Sequence, residues 1–120
     1  MKVHERFINY AKIYTTSDEN SETCPSTERQ LVLAKLLVKE LEEIGLDDVK
    51  MDKNGYVTGK LYSNTEKKVP SIGFIAHMDT ATDITGENVK PVIIENYNGK
   101  DIPLNSEYTM KTSDLLRGRI

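Results

Sequence analysis

Cysteine and histidine are scarce in these 120 residues, and long apolar runs are missing altogether. A single cysteine, Cys24, leaves no internal disulfide framework to build and suits a reducing cytosol. No apolar run approaches the length of a membrane span, and the opening Met1-Lys2-Val3-His4-Glu5-Arg6 holds no apolar signal segment. A dominant charge is lacking too: 16 Lys and Arg stand against 19 Asp and Glu, a net charge of −3, with no basic stripe. Nucleic acid and anionic membrane are therefore not expected as partners. Neither an internal repeat nor a low-complexity tract is present. What remains reads as a soluble, cytoplasmic chain of one domain, long enough to bury a modest core.

The patterning that is there alternates helices with short strands. Phe7, Ile8, Ala11, Ile13 and Tyr14 recur at helical spacing and predict a helix over about residues 2 to 14. Thr15 to Ser26 is polar and reads as a loop. Thr27-Glu28-Arg29-Gln30 has the capping-box pattern, a hydroxyl at the cap and an amide three residues on. Leu33, Leu36, Leu37, Leu41 and Ile44 then stripe one helix face, opposite Lys35, Lys39, Glu42 and Glu43, and Gly45 supplies the left-handed stop. Val49 to Met51 and Tyr56 to Leu61 flank Asn54-Gly55, a favoured two-residue hairpin turn. Val92 to Glu95 and Ile102 to Leu104 flank Asn98-Gly99 and predict a second hairpin, with Pro103 on an edge. This alternation is that of an α/β chain with mixed strand directions.

The chemistry concentrates in Ser71-Ile72-Gly73-Phe74-Ile75-Ala76-His77-Met78-Asp79-Thr80. Ile72 to Ala76 reads as a strand buried on both faces. Residues two apart on a strand share a face, so His77 and Asp79 should stand side by side at its carboxyl end. A carboxylate beside an imidazole fixes the tautomer and makes the other ring nitrogen a better metal ligand. Taken alone, His77 reads as a structural histidine, Asp79 as a capping carboxylate and Thr80 as a turn residue. Cys24 reads as an ordinary loop thiol, and His4, the other histidine, as solvent-facing.

Four stretches carry a resemblance that favours the metal reading. They are Glu5-Arg6-Phe7-Ile8-Asn9-Tyr10, Pro25-Ser26-Thr27-Glu28-Arg29-Gln30, Ile72 to Thr80, and Asn88-Val89-Lys90-Pro91 continued by Ile94 to Ile102. Through them the chain resembles the peptidase T family, bacterial tripeptide aminopeptidases of the zinc-dependent aminopeptidase and aminoacylase superfamily, over roughly residues 3 to 104. The resemblance implies an α/β fold, the N-terminal part of an α/β/α sandwich catalytic domain with a mixed sheet. It implies a hydrolase that releases the N-terminal residue from small peptides, tripeptides, with two zinc ions activating a water. His77 is then a ligand to one zinc, and Asp79 is the catalytic-site residue that orients it.

The family's remaining elements have no counterpart in residues 81 to 120: the Gly-Ala-Asp-Asp segment, the Glu-Glu pair, a further acidic ligand and a distant histidine. Residues 1–120 are accordingly expected to be a single truncated domain holding a partial metal site. Alone it is expected to be inactive, and self-associating through exposed sheet surface and an unpaired edge. The alternatives are another exopeptidase or dipeptidase of the same superfamily, or a non-catalytic remnant or oligomerising fragment.

Overall fold

The leucine stripe of the second helix organises the ordered part of the molecule. In the computed structural model, which describes residues 1–116, helix α1 spans Val3–Ala11 and helix α2 spans Gln30–Glu43. Helix α2 ends as its sequence predicts. Gly45 adopts φ +88°, and the Leu46 and Gly45 amides donate to the Leu41 and Glu42 carbonyls, the paired bonds of a Schellman stop.

Its start differs from the capping-box expectation. The Thr27 hydroxyl donates instead to the Thr16 carbonyl, 3.0 Å, and the Gln30 side-chain amide donates to Thr27 Oγ1, 3.1 Å. The hydroxyl is thus spent on a distant loop, and the regular helix begins at Gln30 after a tight lead-in turn. Helix α1 is shorter than its periodicity suggests and has no buried residue. It is tied to α2 by polar contacts: Arg6 Nη1 lies 2.9 Å from Glu40 Oε2, and the Tyr10 hydroxyl donates to the same oxygen. Burial of Tyr10, then its bond to Glu40, raises its pKa.

The first hairpin forms. Strand β1, Asp47–Met51, pairs antiparallel with β2, Val57–Lys60, with Met51 opposite Val57 and an irregularity between Asp47 and Lys50, where Asp48 takes φ +51°. The connection is longer than the two-residue turn expected. Gly55 alone of the Asn54-Gly55 pair has positive φ, and Asp52 Oδ1 accepts the Asn54 and Tyr56 amides, each at 2.9 Å. Gly55 also lies so close to α2 that a Cβ there would sit 2.9 Å from Leu31 Cδ2, so the turn packs against the helix.

Beyond residue 60 two expectations fail. Ile72 to Ala76 runs without a paired strand and fully exposed, with Phe74 at 95% and Ile75 at 101% of full exposure. A strand exists only where another backbone supplies donors and acceptors, and none of the described residues does so for this run. Val92 to Glu95 likewise forms no strand. The second hairpin is displaced: β3, Ile102–Pro103, pairs antiparallel with β4, Thr109–Met110, through a turn in which Asn105 Oδ1 accepts the Glu107 and Tyr108 amides. A short helix α3, Thr112–Leu116, follows, and residues 117–120 lie outside the described residues.

The result is a mixed α/β chain of helices and small antiparallel sheets, as part of an α/β domain would be. The apolar residues buried among the described residues are Leu33 and Ala34. Ile44, expected in the core stripe, is exposed, and Leu37 and Leu41 are half-buried. The radius of gyration is 18.0 Å, where a compact chain of this length has about 14 Å and an unfolded one about 35 Å. Accessible surface is 10559 Å², against about 6,600 Å² for a compact monomer of this mass. No described helix is long and apolar enough to cross a membrane.

Candidate functional site

His77 and Asp79 meet as their spacing requires. His77 Nδ1 lies 3.0 Å from Asp79 Oδ1, and the ring is 83% exposed while the carboxylate is 38% exposed. Extended backbone alone places alternate side chains together, so the pair forms although the strand does not. With the carboxylate facing Nδ1, that nitrogen carries the proton in the neutral ring, and Nε2 presents a lone pair to solvent. This is the arrangement of a ligating imidazole braced by an acid.

The pair stands at the rim of an open cleft of about 750 Å³. Leu31, Leu37 and Leu41 of α2 and Tyr56 to Thr58 line one side, and the run from Phe74 to Asp79 lines the other. Cys24, exposed, also borders the cleft. It stands close enough to Tyr56 that its charged form would raise the pKa of that phenol. His4 sits on α1.

One side chain is therefore placed as a metal donor would be, and a set is not. Among the described residues no group of three or more His, Cys, Asp or Glu side chains is placed to hold an ion, and a catalytic zinc takes about three protein ligands. The His77–Asp79 geometry fits one ligating arm of such a site and completes no more of it.

The sequence reading missed what holds this arm. Loop residues Thr15 and Thr16 are buried, and Thr16 forms an isolated parallel bridge with Thr80. The Ser17 amide donates to the Thr80 carbonyl, 3.1 Å, and the Thr80 amide to the Thr15 carbonyl, 3.4 Å. The two hydroxyls of Thr16 and Thr80 bond at 2.9 Å, and the Gly86 amide donates to Thr16 Oγ1 at 3.3 Å. Two threonines in a polar loop are visible in a sequence, but neither their burial nor a partner more than 60 residues away is.

No family model matches the chain. Curated relatives do. Over 106 residues it is 63% identical to the Peptidase T of Caldanaerobacter subterraneus subsp. tengcongensis, covering 88% of this chain and 26% of that protein. Over 104 residues it is 64% identical to the Peptidase T of Brevibacillus brevis, covering 87% of this chain and 25% of that one. Over 112 residues it is 60% identical to the Peptidase T of Bacillus licheniformis, covering 93% and 27% respectively. The chain spans about a quarter of the length of the curated relatives it matches.

Proposed function

We propose, for a chain homologous to peptidase T over nearly all of its length, that the His77–Asp79 pair is its contribution to a zinc aminopeptidase centre acting on tripeptides. The 3.0 Å contact that leaves Nε2 open to solvent carries this reading. Asp79 holds the ring in the tautomer with the proton on Nδ1 and leaves the opposite nitrogen free to ligate. The exposed ring and the cleft beside it leave room for a peptide and for donors from elsewhere in a complete enzyme. When bound, zinc polarises a scissile carbonyl and lowers the pKa of water. The present residues supply the ligating arm and its brace.

Among the described residues the ligands for this work are too few, and the 120-residue chain alone is inactive on our reading. The unpaired apolar run at Ile72 to Ala76 supports self-association of such a chain. A cytoplasmic setting is consistent with the lone exposed cysteine.

The test transplants the segment. The 112 matched residues of the Bacillus licheniformis peptidase T are replaced by those of this chain, and release of the N-terminal residue from a tripeptide is measured with zinc content. The chimera should be active, and His77→Ala in it should abolish turnover and lower bound zinc. Full activity of the His77→Ala chimera would falsify the metal-ligand role. Cleavage by the 120-residue chain itself, above a zinc-and-buffer blank, would overturn its inactivity.

A further inference from the structure

We infer that Thr16, Thr80 and Gly86 form a clasp that positions Asp79, and through it the His77 ring, making Thr16 a positioning residue of the site. The inference rests on the ligand role proposed for His77.

Three observations carry it. The tract from residue 61 to residue 101 is exposed nearly throughout, and the exceptions are Met78, Asp79, Gly86 and Pro91. Three of these four flank Thr80, where the tract touches the folded part of the chain. Thr80 is fastened from both sides, its amide to the Thr15 carbonyl and its carbonyl to the Ser17 amide. A residue serving merely as a turn would find its partners within a few positions; those of Thr80 lie more than 60 residues away, at the buried Thr15 and Thr16 and at Ser17.

The hydroxyl of Thr16 is the hub. It bonds Thr80 Oγ1 at 2.9 Å and accepts the Gly86 amide at 3.3 Å, while the Thr16 carbonyl accepts the Thr27 hydroxyl at 3.0 Å. A continuous chain of contacts therefore runs from the start of α2 through Thr27, Thr16 and Thr80 to the neighbouring Asp79. Gly86 is required by space rather than by backbone angle. A Cβ there would lie 2.7 Å from Thr16 Oγ1 and 2.8 Å from Thr80 Oγ1, prising the hydroxyls apart. Ordering an exposed, unpaired run of chain costs conformational entropy that a pinning contact must offset. Here the pin is one residue beyond the carboxylate whose direction sets the imidazole.

The readout is the His77 tautomer, observed through its ring nitrogen signals in the labelled 120-residue chain at alkaline pH. In the parent chain the proton should reside on Nδ1. Thr16→Val keeps the shape and removes the hydroxyl, and Gly86→Ala drives the hydroxyls apart. Both should shift the signals towards the Nε2–H form, and Thr16→Ser should restore the parent pattern. Leu33 methyl signals report whether the helical part is intact. If Thr16→Val disturbs them, Gly86→Ala, outside that part, decides. A parent tautomer pattern in Gly86→Ala, or a lost pattern in Thr16→Ser with Leu33 intact, overturns the clasp. Zinc binding separates the two ideas. Full zinc content in the His77→Ala chimera of the preceding test sinks the ligand role while the tautomer result still stands. Zinc that binds equally in variants with an unchanged tautomer sinks the clasp alone.

Discussion

Residues 3–60 and residues 61–101 are built from similar apolar side chains, yet only the first region uses them. In the first, Leu33 and Ala34 of α2 are buried, α2 packs on the β1–β2 hairpin, and Glu40 gathers Arg6 and Tyr10 across to α1. In the second, Ile72, Phe74, Ile75, Val92 and Ile93 all stand in solvent. The difference is not composition but partners. A helix satisfies its own backbone and needs cover on one stripe, and a hairpin finds its partner across a short turn. A strand meant for the centre of a sheet needs neighbours on both edges and layers on both faces. The His77–Asp79 pair belongs to this second region and owes its order to the point where the two regions touch.

The largest expected effect lies in the folded region. Leu33→Ala should cost about 3 kcal/mol, seen as loss of helical circular dichroism at lower urea. With so small a core, that loss should unfold much of the α2–hairpin unit. A cost under about 0.5 kcal/mol, the range of exposed sites, would erase the contrast between the regions.

Phe74→Ser combined with Ile75→Ser should behave oppositely. Urea stability of the α2–hairpin unit should change by less than about 0.5 kcal/mol. Sedimentation velocity should show concentration-dependent association of the parent chain weakened in the double variant, because the exposed apolar run is the surface being covered. A large stability loss instead would mean that the two regions share a core.

The smallest effect concerns the hairpin's surface. Asp48 Oδ2 accepts hydrogen bonds from Lys60 Nζ at 2.7 Å and from the Tyr62 hydroxyl at 3.0 Å, and these, led by Lys60, hold its carboxyl below the ordinary value. The folded pKa is the lower one, so the contribution is complete above about pH 4 and fades as pH falls through the depressed value. Both side chains are solvated, so acid should loosen hairpin amide protection slightly, and added salt should shrink the change further. An equal acid response in Asp48→Asn would assign the effect elsewhere.

Periodicity and short-range chemistry were legible in the chain itself, for a definite reason. The α2 leucines, the Gly45 stop, the existence of the first hairpin and the adjacency of His77 to Asp79 all depend on residues at most a few positions apart, whose relations follow from local geometry. Glu40 shows the limit: it looks like any charged helix residue, and its burial comes from Arg6 and Tyr10, 34 and 30 positions away. Thr27 shows a second limit, since its hydroxyl could cap α2 and is claimed by Thr16 instead.

Which atoms stand beside His77 followed from a two-residue spacing that any extended backbone imposes. Whether Ile72 to Ala76 became a strand, and what anchors Thr80, required distant chain to arrive or fail to arrive. Local geometry is carried by covalent connection, whereas burial and pairing are properties of two surfaces at once.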